Sequence, residues 1–203
     1  MRRISLAGLT IGAVLAVGPA AANDYADPTW PCIQRKVERL SAGLMWPHPI
    51  EEVSLDEETE AAVDDLVARL TLRRLPVEDL GPDVAAFAEA HGRGTDLLGQ
   101  VFERAFEQLA GTRSKIISGI EEYSVSQIAL SDRIGTARDE MERQMDADEP
   151  DFDRVDALEE QIDWDERIYD DRRRSLTYVC ETPVLLEKRL YAIAQLLAAE
   201  IGN

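Results

Sequence analysis

The sequence predicts an all-α fold: a helical bundle with a long antiparallel, coiled-coil-like helical hairpin, closed by one disulfide. Three observations point there. Ile116, Ile120, Tyr123, Gln127, Leu130, Ile134, Ala137 and Met141 recur at alternating steps of four and three residues, the spacing that aligns side chains along one seam of a helix. No run alternates apolar with polar residues, and no Asn-Gly or Asp-Gly pair is present to turn a hairpin of strands. Cys32 and Cys180, the two cysteines, stand near opposite ends of the chain that follows an export leader.

The leader comes first in the chain. Arg2 and Arg3 precede an apolar run from Ile4 to Val17, and Ala20, Ala21 and Ala22 supply small residues for cleavage after Ala22. This is the pattern of a secretory signal peptide, and the run is too short to read as a membrane span. Residues 1–22 are therefore set apart as a signal peptide, 23–52 as an irregular Trp/Pro-rich arm, and 53–203 as the helical bundle, with the hairpin at 113–180. The expected location is the periplasm or the exterior, with no transmembrane segment after cleavage. An oxidising compartment makes Cys32–Cys180 the expected bridge, since no Cys-x-x-Cys offers redox chemistry.

In the arm, Pro28, Pro31, Pro47 and Pro49 bias their predecessors toward extended backbone. Between them, Ile33, Val37, Leu40 and Leu44 predict a short helix. Ser54 followed by Glu57 predicts a capping box opening a helix that runs toward Arg74, with acids at its start and Arg69, Arg73 and Arg74 at its end. Pro76 stops it. Gly81-Pro82-Asp83 opens a short helix to about Ala90, and Thr95 caps a third that Gly111 ends or bends.

The hairpin's first helix is expected from Arg113 to Asp146, its turn at Asp148–Asp151, where Pro150 forbids continuation. On the return helix Phe152, Val155, Leu158, Ile162, Tyr169, Leu176 and Val179 are expected inward. Its outer face offers Asp163–Arg167, Arg167–Asp171 and Asp170–Arg174 pairs at i,i+4. Thr182-Pro183 predicts the start of a separate final helix carrying Leu186, Leu190, Ile193, Leu197 and Ile201.

Charge and missing motifs narrow the function. With 22 Lys+Arg against 40 Asp+Glu the chain carries a net charge of −18, unsuited to nucleic acid or an anionic membrane surface. Leu70-Thr71-Leu72-Arg73-Arg74 approaches the Leu-Thr-x-x-Gln repeat of periplasmic helical stress chaperones, but Arg replaces Gln and no second copy occurs. His48 and His91, the only histidines, lack the Glu-x-x-His spacing of a di-iron bundle. The acids around the hairpin turn, Asp146 to Asp156, fail the calcium-loop pattern at Pro150, Asp151 and Ala157. No nucleophile elbow or phosphate loop is present, so no cofactor, metal or catalytic residue is assigned.

Two features remain as candidate sites. Trp30, Arg35, Lys36, Arg39, Trp46 and His48 gather aromatic and basic side chains in the arm, the residue types that dominate protein interfaces. Gln127, opposite Asp171 and beside Arg172 if the turn centres near Glu149, forms a polar layer in the seam that sets register or lines a small site. The expected function is that of an exported, non-enzymatic accessory protein that binds or scaffolds another exported protein, its seam self-contained or paired with a second copy. A small-ligand or metal-binding helical protein is the second reading, and a carboxylate-based hydrolase the third.

Overall fold

A computed structural model describes residues 27–202; the predicted signal peptide and the first residues of the arm lie outside them. The described chain is helical, with four α-helices and no strand. Helix α1 spans Glu57–Thr71, α2 Gly81–His91, α3 Thr95–Met145 and α4 Phe152–Ala199. Short 3-10 turns occur at Ala42–Leu44 and at Val77–Leu80, the second running directly into α2. No described helix is long and apolar enough to cross a membrane.

Helix α1 starts two residues later than Ser54 predicts. Asp56 is the N-cap, and its carboxylate accepts from the Thr59 amide at 2.8 Å. A carboxylate at this position satisfies an orphan amide and also faces the positive end of the helix dipole, which a serine does not. At the other end Thr71 donates its hydroxyl back to the Val67 carbonyl at 2.8 Å, and Leu72 leaves the helix at ψ 102°. Arg73 and Arg74 thus lie beyond the helix rather than in its last turn.

Helices α3 and α4 are each longer than predicted. Helix α3 has 51 residues, about 75 Å at 1.5 Å per residue, and passes through Gly111 without ending. It begins at Thr95, with Gly94 rather than Thr95 as the N-cap. Helix α4 likewise passes through Thr182-Pro183, with Pro183 buried inside it. Proline there removes one intrahelical donor, but Leu186 and Leu190 on the same helix are enclosed by the bundle, and that packing holds the helix together across the gap.

Together α3 and α4 form the predicted antiparallel hairpin, and their contact is the main one in the molecule. At its base α1, α2 and the arm close around it. Trp46, Val63, Leu70, Val84, Leu98, Phe102, Leu186, Leu190 and Ile193 form one continuous core there. Arg189 on α4 fastens the α1–α2 connection, donating to the Leu70 and Leu75 carbonyls, each at 2.7 Å. Midway, Cys32, Ile120 and Cys180 form a second cluster with Trp30 and Leu176. The distal part has only its seam, Leu130, Ile134, Ala137, Leu158 and Ile162.

Seam and flank separate less cleanly than the spacing implies. Phe152 and Val179, expected inward, are exposed, because Phe152 begins α4 at the turn, beyond the last enclosed layer. The outer-face ion pairs of α4 form at i,i+3, Asp170 with Arg173 and Asp171 with Arg174. Arg167 instead lies over the Trp164 ring, 5.5 Å from its centroid. Across the hairpin Arg133 grips Asp165 through two nitrogens, and Arg138 pairs with Glu166.

Candidate interaction surface

The disulfide joins Cys32 to Cys180 as predicted, with Cα atoms 5.5 Å apart and a sequence separation of 148. It ties the arm to α4 where the hairpin leaves the base. Trp30 packs beside it, half-buried, and donates its indole N–H to the Gln34 carbonyl at 2.6 Å. Ser124 on α3 holds the Pro28 carbonyl at 2.9 Å.

From Cys32 onward the arm is extended, not helical. The predicted helix over Ile33–Leu44 is replaced by a strap with one 3-10 turn at its end. The cause is long-range. Arg113 on α3, nearly enclosed, donates to the Val37 carbonyl at 2.7 Å, and Ser114 approaches the Glu38 carbonyl at 3.5 Å. Lys36 pairs with Glu121. Carbonyls engaged from outside, with the bridge fixing the strap's start, favour an extended path over an isolated short helix.

This path sorts the arm residues into two groups. Trp46 is inside the core, stacked on Phe102 with ring centroids 5.2 Å apart, and its indole N–H finds no partner. His48 meets it edge-on at 5.6 Å. Trp46 is thus part of the packing and offers a partner no surface. Arg35 and Arg39 are exposed and form no ion pair among the described residues, whereas Lys36 is held.

Where the strap passes α4 it leaves an apolar groove of about 750 Å³. Val37, Leu40, Leu44 and Met45 come from the strap, Val184 and Tyr191 from α4. Leu44 is 86% exposed, Tyr191 56% and Val37 45%, large apolar side chains left in water side by side. Arg39 and Lys188 also line it, neither in an ion pair among the described residues. Arg113 braces both walls: besides Val37 it approaches Glu187, another lining residue, at 3.7 Å. Burial lowers the Arg113 pKa from its usual range, opposed in part by Glu187; the carbonyl bond offsets some of that desolvation.

A second groove of about 600 Å³ lies on the distal side of the bridge, between Pro31, Ile33, Gln127, Ile128, Tyr169 and Leu176. Gln127 falls nearly where the register predicts, donating to the Tyr169 carbonyl at 3.1 Å. Its side-chain oxygen is buried and has no hydrogen-bond partner among the described residues. Arg172 lies over the Tyr123 ring at 5.9 Å. The Gln127 bond thus ties α3 to α4 at this level of the hairpin.

The carboxylates whose pKa moves, Asp27, Asp56, Glu60 and Glu140, all move down, each chiefly through a hydrogen bond to the charged form. A general acid requires the opposite. No cluster of three or more metal-ligating side chains occurs among the described residues. The groove between strap and α4 is therefore the feature with the clearest capacity to act, and its chemistry is that of apolar contact. Arg113, which positions the strap, and Tyr191 were invisible to sequence reasoning, since their role depends on which segments meet. No family model matches the chain, and neither a curated relative nor a solved structure does.

Proposed function

We propose that this chain is an exported, non-enzymatic helical protein that docks another exported protein in the groove between its strap and α4. The observation that carries this reading is the exposure of Leu44, Val37 and Tyr191 around one concave apolar surface. Isolated exposed apolar residues are ordinary, but a contiguous concave set marks an interaction site. The surrounding construction supports it. The disulfide and Arg113 hold the strap in place before any partner arrives, which lowers the ordering cost of binding. The bridge and the lack of a membrane-crossing helix among the described residues are compatible with an exported location.

A photocrosslinking residue placed at Tyr191 tests the reading. In cells exporting the protein, it is expected to trap one discrete partner, and Leu44→Asp in the same chain is expected to abolish the adduct. Adducts of equal yield from Tyr191 and from a hairpin position such as Asp163 would overturn the assignment of the groove.

A further inference from the structure

The far end of the hairpin carries a surface that matches the groove. Met145 closes α3 and Phe152 opens α4, and they are 53% and 64% exposed. Between and beside them stand Asp146, Asp148, Glu149, Asp151 and Asp153. The groove presents the converse: an apolar trough whose lining includes Arg39 and Lys188, neither in an ion pair among the described residues, while its one carboxylate, Glu187, is approached by Arg113 at 3.7 Å. We propose that the hairpin tip of a second copy of this chain docks in the groove, Phe152 entering among Leu44, Val184 and Tyr191, with the tip carboxylates meeting Arg39 and Lys188. This rests on the groove's being a docking surface, not on a foreign partner filling it.

The contact is possible only between molecules. Along α4, Phe152 and Val184 are separated by about 48 Å at 1.5 Å per residue, so a chain's own tip does not reach its own groove. Tip and groove are different surfaces, so each molecule offers one of each. Such a head-to-tail contact closes into a ring or extends as a chain. The net charge of −18 opposes association at long range, but at physiological ionic strength that repulsion is screened beyond about 8 Å. The local match of cation to carboxylate survives at contact distance.

Sedimentation of the purified protein over rising concentration, up to millimolar, is the test. Self-association is expected, with Phe152→Asp and Leu44→Asp each weakening it about tenfold or more, while leaving the melting temperature unchanged because both side chains are exposed. The two variants each lack one half of the contact. Mixed, they are expected to form a one-to-one dimer that grows no further, from the intact groove of Phe152→Asp and the intact tip of Leu44→Asp. A wild type that stays monomeric, or a mixture that does, overturns the proposal. So does association that both variants retain. The two readings fail separately: a monomeric protein that still crosslinks a foreign partner through Tyr191 sinks only the self-docking, and self-association with no foreign adduct sinks only the accessory role.

Discussion

The base and the distal hairpin are built from the same two helices, yet they are different kinds of structure. At the base α3 and α4 meet α1, α2 and Trp46, and Phe102, Leu98, Leu190 and Ile193 are fully enclosed. Beyond the bridge and the few strap residues around it, the helices have only each other among the described residues. Their seam residues Leu130, Ile134, Leu158 and Ile162 are covered, while Val125, Ile128, Trp164 and Ile168 remain in water. A two-helix seam is too narrow to cover its own flanks; a third layer decides whether a helix has an inside. Stability is therefore expected to fall from base to tip, and the disulfide sits at the step between the two regimes.

Removing the bridge is the largest perturbation of that comparison. Replacing both cysteines by serine is expected to cost up to about 5 kcal/mol, the chain-entropy value for so long a loop. It also frees the strap from α4 and exposes Trp30, so the loss is expected at both base and midsection. Thermal unfolding in oxidising buffer checks it, and an unchanged melting temperature would deny the bridge any role in stability.

Core truncations then separate the regions. Phe102→Ala removes a ring that stacks on Trp46 in the base and is expected to cost about 3–5 kcal/mol of global stability. Leu158→Ala removes a covered seam residue in the hairpin. Its main effect is expected to be local: faster amide exchange from Leu130 to Ile162, with a smaller shift of the main thermal transition. Equal shifts from the two variants would mean that the molecule unfolds as a single unit.

Gln127→Leu sharpens the hairpin side. It replaces a buried amide, with one atom unpartnered, by an apolar seam residue, and the Tyr169 carbonyl it leaves is still within a helix. Amide exchange around Gln127 is expected to slow, and the main melting temperature to rise by at most about 2–4 °C, the shift that about 1 kcal/mol gives when a chain of this size unfolds as one. A fall would show that the bond to Tyr169 outweighs the burial of the amide.

The hairpin and its bridge were legible in the sequence because each rests on a simple signal: heptad spacing for one, the chain's two cysteines for the other. The helix ends were not. Gly111 and Pro183 read as breaks, but each disturbs only a turn, and the packing of Leu109, Leu186 and Leu190 into the base outweighs that local penalty. The strap misled in the opposite sense. Ile33, Val37, Leu40 and Leu44 have helical spacing, yet Ile33 and Leu44 end up exposed, because Arg113, some 76 residues from Val37, engages the strap's backbone. Of the arm residues singled out, Arg39 lines the groove and Trp46 lies in the core. The groove itself depends on strap residues meeting Val184 and Tyr191, and no single stretch of sequence holds that juxtaposition.

The smallest effect is a comparison of two caps. Asp56 opens α1 in the base and Asp151 opens α4 at the tip, each carboxylate accepting an amide three residues on. Asp56→Ala is expected to lower the melting temperature slightly, whereas Asp151→Ala is expected to alter only exchange near the tip. Hydrogen bonds from the Thr59 amide and then its hydroxyl hold the Asp56 pKa below its usual value of 3.8. A group with a depressed folded-state pKa stabilises fully above its unfolded value and loses that contribution as pH falls through the folded one. Asp56→Asn keeps the cap and removes the titration. The advantage of wild type over this variant is therefore expected to hold at neutral pH and vanish in acid below the usual aspartate range. A difference that stays constant across that range would assign the cap's effect to its hydrogen bond alone, with no part played by its charge against the helix dipole.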